Sequence, residues 1–105
     1  MSELPESYAT ARQQYPDVMK HYEALGEAAR KAGPLDAKTV EFIKLGMCIG
    51  AGLEGGGHAS VRKALESGAT PAELRHVGLL AVTTLGFPTM ARARAWIEDV
   101  VSQAP

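Results

Sequence analysis

A chain of 105 residues, 46% hydrophobic and 22% charged with a formal net charge of -1, carries one domain's worth of sequence and no polyelectrolyte bias. Its cations are scattered, with Arg30 and Lys31, Arg62 and Lys63, and Arg92 and Arg94 the close pairs, so no basic stripe follows a nucleic-acid groove. No stretch reaches the roughly 18 apolar residues that span a bilayer, and the first residues lack a signal peptide's basic start and apolar run, so a cytoplasmic protein with no membrane or nucleic-acid partner is expected.

Taken in chain order, Tyr8 to Tyr15 form a short helix or turn that Pro16 separates from the next segment. Val18, Tyr22, Leu25 and Ala29 then recur at helical spacing and line one face until Gly33 and Pro34 stop the helix. His21, beside Tyr22, is expected in solvent. Asp36 is placed to cap the next helix. There Val40, Ile43, Met47 and Ala51 make one apolar stripe while Phe42, Leu45, Cys48 and Ile49 cover other sides, which predicts a helix buried all round.

The stretch GLEGGGHAS, Gly52 to Ser60, comes next. A glycine in a helix interior costs about 1 kcal/mol relative to alanine. Gly55, Gly56 and Gly57 therefore mark a loop or a close helix crossing, or else a small cavity beside His58 into which a ligand fits. Sequence leaves these open. Glu54 and His58 are four residues apart and share a face if a helix runs through them. A carboxylate beside an imidazole suits proton transfer near neutral pH or metal binding, and the same spacing also describes an ordinary surface pair.

Thr70, Pro71, Ala72 and Glu73 spell a capping box with proline at the first helical position. The helix they open runs to about Leu85, and its VGLLAVTTL stretch is apolar on nearly every side. Two such helices leave more apolar surface than a small monomer covers, which points to a subunit interface. His76 either lies at the surface or turns inward to join Glu54 and His58, where three such groups suit a divalent metal. No cofactor is expected, and whether a metal binds stays open.

Cys48, inside an apolar helix, reads as a small buried hydrophobe with an unactivated thiol. As the single cysteine it excludes an intrachain disulfide and a Cys-x-x-Cys redox pair. After Gly86, Pro88 opens a last helix with Met90, Ala93, Ile97 and Val100 or Val101 facing inward and Trp96 beside them. No segment alternates with period two. The expected fold is therefore all-α, a single domain over residues 1–105 in which 1–34 form an N-terminal helical segment.

The run LDAKTVEFIKLG and the run HASVRKALESGATPAELRHVGLLAVTTLGFP resemble the carboxymuconolactone decarboxylase family, which includes the alkyl hydroperoxidase D-like proteins. The resemblance covers residues 35 to about 100, and its most specific part is His58 followed by VRKALESGATPAEL, the family's histidine, helix, glycine turn and capped next helix. It implies a small all-helical subunit that pairs through its central helices and assembles into a trimer or hexamer. One branch of the family is a thiol peroxidase, and a peroxiredoxin label would attach to this chain through membership. In that branch two cysteines precede the histidine, and their positions fall on Ala51 and Glu54 here. The glutamate of that branch falls on Thr39, or on Glu41 if the intervening loop is two residues shorter. With both cysteines replaced, the peroxidase chemistry lacks its nucleophile and its resolving partner. The decarboxylase branch needs only a proton-transfer histidine, which corresponds to His58, and Glu54 is placed to orient it. A small lactone or carboxylic acid is then the expected ligand, with Arg62 one turn further on as the available cation. The alternative is an oligomeric ligand-binding or assembly protein in which the glycines serve packing.

Overall fold

Proline and glycine punctuation divides the chain into seven helices in the computed structural model, which describes residues 6–103 and holds no strand among them. These residues fall into two units, 6–35 and 36–103.

The first unit is a pair of helices, α1 (Glu6–Gln14) and α2 (Pro16–Lys31), separated by Tyr15 just before the proline, as the sequence predicts. Glu23 ties them together: its carboxylate accepts a hydrogen bond from the Tyr8 hydroxyl and pairs with Arg12 at 3.4 Å. That hydrogen bond holds the Tyr8 hydroxyl above its ordinary pKa. The stripe of Val18, Tyr22 and Leu25 forms on α2 but stays exposed, and neither helix buries a residue. Two helices alone offer no third surface on which to close an apolar face.

The second unit contains α3 (Ala37–Ala51), α4 (Glu54–Glu66), α5 (Pro71–Leu79), α6 (Ala81–Thr84) and α7 (Phe87–Val101). Asp36 caps α3 as expected, its Oδ1 accepting from the Thr39 amide at 2.8 Å. Gly52 ends α3 in the left-handed region, φ +72°, where a Cβ is penalised. The amide of Leu53 then returns to the Cys48 carbonyl at 2.8 Å. Only those two residues separate α3 from α4, so the two helices fold back on one another.

Thr70 and Glu73 form the capping box in full, with the Glu73 amide donating to Thr70 Oγ1 at 3.1 Å and the Thr70 amide donating to Glu73 Oε1 at 2.9 Å. The helix they open stops earlier than Leu85. α5 ends at Leu79 and α6 resumes at Ala81, while Leu80 keeps right-handed helical backbone at φ -60° and ψ -21°. The Leu80 amide still donates to the His76 carbonyl at 3.1 Å, so the interruption is confined to that one residue.

Leu45, Val61, Leu74 and Ile97 are the largest fully buried side chains, one from each of the four long helices of this unit. α7 supplies the most to the core, burying Met90, Ala93, Trp96, Ile97 and Val100 at helical spacing. The expectation that α3 is buried all round does not hold within the chain. Its buried stripe is Glu41, Leu45 and Ile49, whereas Ile43 and Met47 on another side are exposed. Leu79, Leu80 and Leu85 are likewise exposed.

The cap has a measurable consequence. Thr70→Ala removes the acceptor for the Glu73 amide, and a loss of about 1 kcal/mol is expected. Thermal unfolding should read this as a midpoint roughly 4–8 °C lower, with Thr70→Ser keeping most of the wild-type stability.

Acid should weaken the same unit. The Thr39 interactions hold Asp36 below its ordinary carboxylate value, the Thr70 amide and Lys38 do so for Glu73, and the Arg75 guanidinium does so for Glu98. A depressed native value means that the native state holds on to its ionised form. Stability is therefore fully present above the ordinary values of 3.8 for Asp36 and 4.5 for both glutamates, and is lost as pH falls through the lower native ones. Urea midpoints should be flat above about pH 5 and fall below it, and the joint change of Glu73→Gln and Glu98→Gln should shallow the fall.

Candidate functional site

The three glycines occupy the first turn of α4, which begins at Glu54. A Cβ on Gly56 would stand 2.8 Å from Cys48 Sγ, and one on Gly57 would stand 3.0 Å from Trp96 Cε3. Nothing lies within 4 Å of the corresponding point on Gly55. Two of the three glycines thus let α4 approach α3 on one side and α7 on the other. The alternatives left open by sequence resolve toward a close helix crossing at Gly56 and Gly57.

That crossing sets the next residue. With Gly57 against the Trp96 ring, His58 comes opposite the α7 position one turn beyond the tryptophan, and there Asp99 stands. His58 Nε2 and Asp99 Oδ2 are 3.1 Å apart. The histidine side chain is 22% exposed and the aspartate 58%, so the pair sits at the rim of the core with one side in water. The contact ties α4 to α7 across 41 positions of sequence.

Arg92 lies one turn before Trp96 on α7, its guanidinium carbon 5.6 Å from the ring centroid, in the range of a cation–π contact. Its Nη2 is 4.0 Å from the point where Gly52 would carry a Cβ. Arg92, Trp96 and Asp99 therefore form one strip of α7 that faces Gly52, Gly57 and His58 in turn. A cation stands at one end of this strip, an imidazole–carboxylate pair at the other, and a flat aromatic between them.

The other residues singled out in the sequence lie elsewhere. Glu54 is exposed in the first turn of α4, one turn before His58, and the ring's partner is Asp99. Arg62, one turn after His58, is half-buried. Glu41 is 3% exposed on the inner face of α3, with Oε1 closed off from solvent.

His76 lines a separate apolar groove of about 560 Å³ between α3 and the α5–α6 pair, with Phe42, Ile43 and Gly46 on one wall and Val77, Leu80 and Leu85 on the other. Glu73 reaches the same groove, and His58 does not line it. Among the described residues no group of three histidine, cysteine, aspartate or glutamate side chains is arranged to hold a metal ion. No helix among them is long and apolar enough to cross a membrane. Cys48 is half-buried, with Sγ facing Gly56.

Asp99 and Arg92 are not singled out by the sequence pattern. The available signal was on α7: a helix with Ala93, Trp96, Ile97 and Val100 facing inward puts 92 and 99 on the tryptophan's side, one turn before it and one turn after. Which helix that side meets is not readable from α7, because it depends on the glycines of α4.

Comparison with known proteins places the sequence rather than the site. An uncharacterized protein of Haemophilus influenzae is 40% identical over 48 residues, which are 46% of this chain and 42% of that protein, so the chain spans less than half the length of that relative. No solved structure matches the chain. The family model described as the carboxymuconolactone decarboxylase family matches residues 16–99, which take in the glycine crossing, His58, the capping box and α7 through Asp99. On a match over most of its length, joined to the all-helical architecture, the chain belongs to the carboxymuconolactone decarboxylase family.

Proposed function

We propose that the protein is a lyase- or isomerase-type enzyme acting on a small lactone or carboxylic acid, with His58 as the proton-transfer group. The observation that carries this reading is the His58–Asp99 pair, a half-buried imidazole held at 3.1 Å by a carboxylate from another helix. In decarboxylation of a lactone acid the bond to the departing carboxylate breaks, carbon dioxide leaves, and the electron pair spreads into an extended enolate. Protonated His58 delivers a proton to that enolate, and the product forms without a redox step. In this reading Arg92, whose guanidinium lies on Trp96, supplies the cation that a substrate carboxylate needs. Glu54 adds negative charge at the open edge of the same helix, one turn before the ring.

Assembly belongs to the same proposal. Ile43 and Met47 on α3 and Leu79, Leu80 and Leu85 beyond it are exposed around the 560 Å³ groove. Soluble monomers seldom leave a contiguous apolar patch of more than a few hundred Å². A second copy of the chain covers this face in our reading, within a trimer or hexamer. The same surface favours the alternative of an oligomeric binding or assembly protein without catalysis. A peroxiredoxin activity has no support, since the single cysteine has no second thiol with which to cycle.

A ligand screen tests the choice. Small lactones, dicarboxylic acids and carboxymuconolactone are offered to the wild type and to His58→Gln while thermal unfolding is followed. A ligand present at 100 times its Kd adds about 2.7 kcal/mol, which moves the midpoint by many degrees. Stabilisation of the wild type and less of the variant is the expected result. Stabilisation of both alike by every ligand that binds would favour the non-catalytic alternative.

A further inference from the structure

We infer that Asp99 is a positioning residue for His58: it holds the proton on Nε2 and thereby makes Nδ1 the ring atom that gives and takes protons. The chemical meaning of this assignment rests on the proton-transfer reading of His58, while the contact itself does not.

An ionised carboxylate only accepts hydrogen bonds, and a neutral imidazole has one nitrogen that donates and one that accepts. Asp99 Oδ2 lies 3.1 Å from Nε2, so Nε2 is the nitrogen that carries the hydrogen. The lone pair of the neutral ring is then on Nδ1. When the ring takes up a second proton, that proton resides on Nδ1 and is the one available for delivery, while the Nε2 hydrogen stays on Asp99's side of the ring. After delivery the ring returns to the same neutral tautomer and needs no rotation.

Position is secured by packing rather than by the ion pair alone. Asp99 follows Trp96 by one helical turn, and the Trp96 ring is buried against Gly57, the residue before His58. The aromatic contact between α4 and α7 thus fixes the two backbones beside the pair. An exposed ion pair by itself contributes little to stability, so a role in folding does not account for the placement.

The test uses the full chain labelled with ¹⁵N at histidine, with ring nitrogens read through their couplings to the carbon-bound ring protons at a pH where His58 is neutral. His58→Gln identifies the signals. The wild type should show Nε2 at the fully protonated limit and Nδ1 at the unprotonated limit. In Asp99→Ala both signals should move toward the averaged positions of a free histidine peptide, and Asp99→Glu should restore most of the wild-type separation. Alanine at an exposed helical position keeps the helix, so the variant remains folded for comparison. Identical ring signals in the wild type and Asp99→Ala, or a protonated Nδ1 in the neutral wild type, would overturn the assignment. No substrate is present, so the result is independent of the turnover of His58→Gln, by which the proton-transfer reading itself is judged.

Discussion

Gly57→Leu is expected to lower the unfolding free energy by about 1–3 kcal/mol or more, the usual cost of extra methylenes in a packed interior. Gly55→Ala, two residues earlier in the same turn, is expected to raise it by about 0.4–1 kcal/mol. The opposite signs follow from what surrounds each position. A Cβ on Gly57 would already stand 3.0 Å from Trp96 Cε3 and 3.5 Å from Cζ3, and an indole ring buried among α7 neighbours cannot fold out of the way as a flexible chain end would. Leucine adds three more carbons in that direction, so α4 must lift from α7 or the ring must leave its site. At Gly55 nothing is within 4 Å, so alanine meets open space and mainly narrows the unfolded ensemble. Thermal unfolding of the two variants beside the wild type measures both effects, at roughly 4–8 °C per kcal/mol. Equal destabilisation by both would show that the turn needs glycine for its backbone and not for its crossing.

His58→Gln is expected to reduce turnover of a lactone acid by about 10²–10⁴-fold, the usual contribution of a positioned acid or base. At about 1.36 kcal/mol per tenfold this is about 2.7–5.4 kcal/mol of transition-state stabilisation. The same substitution should change folding stability far less. Glutamine keeps a donor that can reach Asp99, and a pair in which the carboxylate is 58% exposed is screened by water, so its loss is worth at most about 1 kcal/mol. Kinetics and unfolding on the same preparations separate the two. A large loss of rate with a midpoint within a few degrees of the wild type marks chemistry, and the reverse pattern marks architecture.

The contrast between these two variants reflects how differently the fold and the site can be read from residues alone. The capping box at Thr70 to Glu73, the cap at Asp36 and the break at Pro16 are local, since each depends on side chains within three or four positions, and all three formed as spelled. The inner face of α7 was equally legible from spacing. Burial of α3 on every side was not, because hydrophobicity records that a face avoids water without recording whether this chain or another copy covers it. The α2 stripe of Val18, Tyr22 and Leu25 gives the same lesson: its pattern is helical and its exposure is not written in it. At the site, His58 stood out through its glycines, whereas Asp99 did not, since a contact 41 residues away depends on the crossing of α4 and α7. Glu54 was legible as a neighbour on the same helix, but the ring turns its Nε2 to α7. His76 is near the capping box in sequence yet apart from His58 in the fold, because α5 directs it to the groove beside α3 and α6.

Release of carbon dioxide from carboxymuconolactone and related lactone acids by the wild-type protein is the most direct measure of whether His58 transfers a proton in catalysis. Turnover by the wild type that falls by at least about 100-fold in His58→Gln is the expected result. Turnover that survives His58→Gln unchanged, or none by the wild type on any of these acids while the fold is intact, would contradict it.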